Sequence, residues 1–148
     1  MAMHEFHLHT NWPGNRNDIG DLSTTGLVSK ISIPPEMDGP GIGTNPDEML
    51  LGAAATCYII TLAAMLERSK INKTMLSMDS IGLVEVDKGV ITYKKIIHKP
   101  VLLLEADASE KQKLLAEKLA HKAESSCMIS RALKGNVEIE LDLMIKFN

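Results

Sequence analysis

The spacing of apolar residues changes period several times along the chain, and each change marks an element. Positions 4–10, HEFHLHT, alternate: Phe6 and Leu8 lie on one side, His7 and His9 on the other, which predicts a strand with one solvated face. Positions 11–21, NWPGNRNDIGD, carry turn residues and read as a loop, and 27–33, LVSKISI, as a second strand. A non-regular connection, 34–43, leads to the longest apolar stretch. Positions 49–66 are apolar almost all the way round a helix, and the residues before them form a helix start. Thr44 or Asn45 is the N-cap, Pro46 takes the first helical position, and Asp47 and Glu48 fill the first turn. Positions 75–86 predict a long strand with Gly82 as a possible bulge, Asp87-Lys88-Gly89 a hairpin turn, and 90–105 the partner strand, kinked or placed at an edge by Pro100. Asp107 or Ser109 caps a helix running to about Ser125, with Leu114, Leu115, Leu119 and Ala123 as its apolar stripe. Ser125 or Ser126 caps a short helix over 128–134, closed by Gly135, and 136–147 alternates as a final strand.

Strands that come in hairpins, separated by helices, predict an α+β fold with antiparallel sheets wrapped around a long central buried helix. We read 1–148 as a single domain: N-terminal strands within 4–33, the central helix 46–68, and a C-terminal β-β-α-β segment over 75–147. A helix with no polar face is either buried in protein or spans a membrane. The apolar run is near the lower limit for a span. The small residues Gly52-Ala53-Ala54-Ala55, and the acidic turn directly before the run, argue for burial. One protomer has little sheet to cover such a helix on every side. A homodimer, with two helices packed through Gly52 and the alanines, solves this.

Composition narrows the function. The chain has 148 residues, a net charge of −3 and no basic cluster, so neither a nucleic-acid nor a membrane partner is expected. No stretch near the start combines a basic region, an apolar segment and a small-residue cleavage site, which gives a cytoplasmic location as the expectation. The two cysteines, Cys57 and Cys127, lie too far apart in sequence for a paired zinc site, and are free thiols or a redox couple. His4, His7 and His9 invite a metal, but no acidic or thiol partner is adjacent, and an exposed polar strand face is the better reading. No metal is expected. Cys57, in the middle of the apolar helix, reads on its own as a packed, inert thiol.

Three segments change that reading. GTNPDEML, GAAATCY and CMISRALKGNVEIEL together resemble the OsmC/Ohr family of thiol-dependent organic hydroperoxide reductases, and the resemblance runs from about Trp12 to the last strand. It implies an intertwined homodimer; that the active sites lie at its interface is expected from the spacing of Asp47 and Cys57. It implies that Cys57 attacks the peroxide, that Cys127 resolves the product, and that Arg16 orients thiolate and peroxide. Asp47 stands where the family usually has Glu, so either the arginine moves or Glu48 takes the role. Met128 stands where many members have Pro, which loosens the local turn. No cofactor is bound; an external dithiol of lipoyl type is the implied reductant.

The chemistry fits those residue types. Only a thiolate attacks an O–O bond, and a thiol buried in an apolar helix needs a neighbouring positive charge, for which Arg16 is the candidate. The attack leaves a sulfenic acid, and condensation with Cys127 forms a disulfide before further oxidation. A helix start at Ser125 or Ser126 would favour a Cys127 thiolate. Asp47 and Cys57 are ten residues apart, roughly 15 Å along a straight helix. One arginine cannot touch both from one side, so either the helix breaks near Leu51-Gly52 or Asp47 serves the partner's cysteine. Met49, Leu50, Leu51, Tyr58 and Ile59, with Met75, would line a pocket for a bulky organic hydroperoxide, although a helical apolar stripe is more often packing. A non-turnover redox sensor or small-molecule-binding member of the same fold is the alternative, and a purely structural dimer a third reading.

Overall fold

The computed structural model describes residues 1–148. The chain packs as two compact units, Met1–Met49 and Leu50–Asn148.

In the first unit, strands β1 (His9–Asn11), β2 (Gly20–Ser23) and β3 (Val28–Ile31) form an antiparallel meander. The alternation over 4–10 forms a ladder only from His9, because β2 offers partners only for His9 to Asn11. β2 itself lies inside and just past the stretch read as loop. It is four residues long, three of them turn formers, and only Gly20 and Leu22 are buried. The connection that follows is held by Ser32, whose hydroxyl donates to Ile42 O (2.7 Å) and accepts from Ile42 N (2.8 Å). Gly43 has a left-handed φ of 71°, and a Cβ there would collide with the Lys30 carbonyl, so only glycine fits.

The helix α1 spans Pro46–Arg68. Its N-cap is Asn45, whose Oδ1 accepts from Glu48 N (2.9 Å), while Thr44 donates its hydroxyl to Glu48 Oε1 (2.9 Å). The helix is unbroken through Leu51 and Gly52. Within this chain its burial is one stripe, Ala54, Tyr58, Leu62 and Leu66, at a spacing of four. Gly52, Thr56 and Ile60 form a parallel exposed stripe, and Ile60 is 67% exposed.

The second unit is built on a long hairpin, β4 (Lys73–Asp87) and β5 (Val90–Leu104), closed by Lys88 and Gly89, both at positive φ. β5 is central. β6 (Glu138–Leu141) and β7 (Met144–Phe147) both pair with its other edge and run parallel to it. The sheet is therefore mixed, and the alternating tail is two strands rather than one. Pro100 is accordingly not at an edge. It lies where the ladder lapses between His98–Leu141 and Val101–Met144. The bulge near Gly82 belongs to the partner strand, where Leu83 faces Lys95 and Val84 faces Tyr93, leaving Lys94 extra. Gly82 makes room for the Tyr93 ring, which a Cβ would strike.

Helix α2 (Glu110–Ser126) starts with a full capping box of Ser109 and Gln112. It buries Ala116, Ala120 and Ala123, with Leu119 packed at their side, whereas Leu114 and Leu115 are 58% and 39% exposed. The apolar face is thus an alanine stripe rather than the leucine pair, and the large side chains that fill the space over it, Tyr58, Leu62 and Leu66, come from α1. Helix α3 (Met128–Leu133) follows after one residue. The core joins α1, α2 and β5 through Tyr58, Leu62, Leu66, Leu102, Leu104 and the alanines.

Candidate active site

Cys57 sits on α1 one position before Tyr58, on the flank of the buried stripe. Cys127 is the hinge between two helices. Its N–H donates to Ala123 O (2.9 Å), ending α2, and its carbonyl accepts from Arg131 N (3.0 Å), opening α3. Its ψ of 130° breaks the helical path between them. Ser125 and Ser126, read as candidate caps for α3, belong to the last turn of α2 and donate to Lys122 O.

This hinge brings the two sulfurs together. Both thiols are free, Cys57 half-buried and Cys127 only 1% exposed, and they are hydrogen-bonded to one another. Burial, the largest effect on Cys57, pushes its pKa up. The Cys127 thiol, the N–H groups of Ile129 and Met128, and the Thr61 hydroxyl oppose it, and together they bring the thiol below its ordinary value. Thr61, one turn on, directs its hydroxyl to the Cys57 carbonyl (2.7 Å), consistent with its being the weakest of the four. Burial raises Cys127, and its role as donor to Cys57 raises it further; Ser130 and Ile129 oppose this only in part. The expectation that the α3 start makes a thiolate of Cys127 is therefore reversed. The first N–H groups of α3, which have no partner inside the helix, are divided between the sulfurs: that of Met128 goes to Cys57, that of Ser130 to Cys127, and that of Ile129 to both. Met128, read as a loosening of the turn, is the first residue of α3 and one of those donors.

The other expected site residues lie as follows. Arg16, in the loop before β2, donates to Asn17 Oδ1 (2.7 Å) and to the carbonyls of Met37 (2.8 Å) and Asp38 (3.5 Å). Asp47 is half-buried in the first turn of α1, and Glu48 is engaged with Thr44 in the cap. Met49 and Leu50 are half-buried, and Leu51 packs beside Ala54, Ile96 and Val137. Tyr58 is not a pocket residue. It is fully buried, its hydroxyl donates to Ala120 O (3.1 Å), and its ring stacks on His98 at 5.3 Å between centroids. Met75 is on β4 and 40% exposed. No group of three or more His, Cys, Asp and Glu side chains is placed to hold a metal ion.

His98 and Ser130 were not singled out by sequence. His98, on β5, accepts or donates at Nδ1 to Ser80 Oγ (2.7 Å), while its buried Nε2 has no partner. Ser130 is buried, with a hydroxyl that lacks a nitrogen or oxygen partner and lies against the Cys127 sulfur. Neither had a signal in the sequence, since a single His in an apolar strand and a single Ser in a short helix are ordinary.

Comparison with known proteins identifies relatives of the whole chain. The family described as OsmC-like protein matches residues 39–142. The chain is 64% identical over 146 residues to the uncharacterized protein YmaD of Bacillus subtilis (strain 168), covering 99% of this chain and 97% of that one. It is 30% identical over 105 residues to peroxiredoxin OsmC of Escherichia coli (strain K12), covering 70% and 68%. Among solved structures, an organic hydroperoxide resistance protein OsmC from Legionella pneumophila superposes with a TM-score of 0.77 at 23% identity, covering 97% of this chain and 99% of that one.

Proposed function

The chain belongs to the family of OsmC-like proteins, and from that premise we propose that it is a thiol-dependent peroxidase that reduces organic hydroperoxides to alcohols in oxidative-stress defence. The observation that carries this reading is the hydrogen-bonded pair of free thiols, in which the pKa of Cys57 is lowered and that of Cys127, its donor, is raised. The relatives named for peroxiredoxin activity and hydroperoxide resistance support it.

The Cys57 thiolate attacks one peroxide oxygen, the O–O bond breaks, and the departing alkoxide takes a proton to leave as the alcohol. Cys57 is then a sulfenic acid. Cys127, already in contact with that sulfur, attacks it, water leaves, and a disulfide closes. An external dithiol, of lipoyl type by family resemblance, reduces the pair. By the same resemblance Arg16 supplies the cation for thiolate and peroxide, and Asp47 orients it. Met49, Leu50 and Leu51 contribute apolar lining. A second copy of the chain covers the exposed stripe of Gly52, Thr56 and Ile60 on α1, and the sites are shared between protomers. The reducing interior of a cell suits this chemistry, which needs both thiols free.

The test is to give the reduced protein cumene hydroperoxide and a dithiol and to follow peroxide loss in wild type, Cys57→Ser and Cys127→Ser. Turnover in wild type and its loss in Cys57→Ser are expected. A wild type that oxidises once, stoichiometrically, and then stops is a sensor and not this enzyme. In mixtures of Asp47→Ala and Cys57→Ser protein, regain of activity is expected if sites are shared.

A further inference from the structure

The disulfide of the proposed cycle must be opened from outside, and one of its sulfurs is nearly inaccessible. Thiol–disulfide exchange proceeds fastest when the departing sulfur best carries negative charge. That sulfur is Cys57, the more exposed of the two, to which the N–H of Met128 is directed and with which Cys127 shares the N–H of Ile129. The incoming thiolate is then required at Cys127, which is 1% exposed. A route to it has to pass the side chains that cover it.

One cleft adjoins that cover. The end of α2, helix α3 and the start of β6 enclose a cleft of about 290 Å³, whose lining includes Glu124, Ser130, Arg131, Lys134 and Glu138. Ser130 belongs both to this lining and to the contacts of the Cys127 sulfur, so the wall between cleft and sulfur is one small side chain thick. Its hydroxyl is buried and has no nitrogen or oxygen partner. The charges in the cleft are unequal in what they are free to do. Glu138 lies 3.9 Å from Lys95 Nζ, and Glu124 acts on the buried Tyr58 hydroxyl. Arg131 and Lys134 take part in no ion pair and no side-chain hydrogen bond. Two uncommitted cations at the mouth of a cleft attract and hold an anion.

We propose that this cleft is the entry for a small dithiol bearing a carboxylate, which Arg131 and Lys134 hold while its thiolate reaches Cys127 past Ser130. The inference rests on the peroxidase reading. The thiolate forms a bond to Cys127 Sγ, the S–S bond breaks, and its electron pair leaves on Cys57. The second thiol of the reductant then attacks the mixed disulfide, its proton passes to the Cys127 thiolate, and a cyclic disulfide departs. Two electrons have moved from the dithiol to the two cysteines; one of its protons is on Cys127, the other went to solvent when the attacking thiolate formed, and Cys57 returns as the thiolate.

The test uses full-length protein whose disulfide has been formed with diamide, so that it does not depend on peroxide chemistry. Its reduction is timed with dihydrolipoic acid and with dihydrolipoamide, which differ in one charge. At low salt the acid is expected to be favoured about tenfold over the amide, and the preference to shrink as salt screens it. Arg131→Glu/Lys134→Glu should bring the ratio to one or below, and Arg131→Gln/Lys134→Gln to an intermediate value. An acid-over-amide ratio that both variants leave unchanged overturns the proposal. A second readout is acid-quenched reaction with 3-mercaptopropionate: the mixed disulfide is expected on Cys127, and finding it on Cys57 overturns the proposal as well. Failure of peroxide turnover with the ratio intact counts against the peroxidase reading alone.

Discussion

Cys57 and Tyr58 are consecutive residues whose side chains face opposite electrostatic outcomes. Around Tyr58 burial decides. It pushes the Tyr58 hydroxyl well up, with Glu124 adding to the effect, and it pushes the neighbouring His98 imidazole down. Both groups stay neutral, stacked and built into the core. Around Cys57 burial is again the largest single effect, yet the thiol moves the other way, because the Cys127 thiol and the N–H groups of Ile129 and Met128 converge on its sulfur. Loss of water alone therefore does not make a site. What separates the core pair from the thiol pair is whether the fold supplies donors to the charged form. The donors come from one break in the helical path, at Cys127, which exposes the first N–H groups of α3 just where α1 passes.

The harshest way to break the comparison is to remove the core side. Tyr58→Ala deletes a fully buried ring between α1, α2 and β5 and should cost about 3–5 kcal/mol of stability, read from denaturant midpoints. Tyr58→Phe keeps the ring and should cost about 1 kcal/mol, the worth of its bond to Ala120. A thiol pair whose reactivity is untouched in Tyr58→Phe would show that the two regions are independent. A coupled loss would merge them.

On the thiol side, Cys127→Ala removes the strongest donor to Cys57. The Cys57 thiolate titration should move to higher pH, and iodoacetamide labelling of Cys57 at pH 7 should slow about tenfold, the worth of one hydrogen bond to a charged acceptor. Cys127→Ser, with a hydroxyl in place of the thiol, should recover part of the rate. Peptide mass spectrometry resolves the two cysteines. Equal labelling in wild type and Cys127→Ala would mean that the sulfur contact does not bias Cys57.

His98 tests the core side through pH. Its folded pKa lies below the ordinary value, because burial disfavours the imidazolium. Between the folded and the unfolded pKa the unfolded chain therefore binds the proton that the native state refuses. The stability this group confers is complete above about pH 6.5 and is lost as pH falls through the folded value, by at most about 1.4 kcal/mol per pH unit. His98→Gln should flatten that part of the stability–pH curve. An unchanged slope would mean that other groups carry the acid response.

Much of this was legible beforehand and some was not, for separable reasons. The boundaries of α1, the β4–β5 hairpin and its turn follow from local signals: a capped apolar run, and Lys88-Gly89 at positive φ between two long apolar segments. The parallel pairing of β6 and β7 with β5 is a long-range choice, and alternation over 136–147 reads the same whichever neighbour it meets. The alanine face of α2 was hidden because leucines outrank alanines in any hydrophobic count, while the bulk over that face is supplied by Tyr58, Leu62 and Leu66 of α1. The two cysteines could be picked out as a pair. How the α3 amides divide between them could not, since that depends on where α1 runs past a hinge formed seventy residues later.

The finest test separates an amide from the fold that holds it. Met128 opens α3, where proline is tolerated because the N–H it removes has no partner inside the helix. Here that N–H does have a use, on the Cys57 sulfur. Met128→Pro should therefore leave thermal stability close to wild type, since Met128 is exposed and its side chain fills no core position. It should also shift the Cys57 titration upward and slow its labelling at pH 7 about threefold, as expected for one weak donor among several. If stability falls while labelling keeps its rate, the amide was structural and Cys57 draws its thiolate character from Cys127 and Ile129 alone. If both hold, Met128 contributes nothing to the difference between the thiol pair and the core pair. The expected result, slower labelling in an equally stable protein, would show that a single backbone donor moves the balance at Cys57 although burial remains the largest effect acting there.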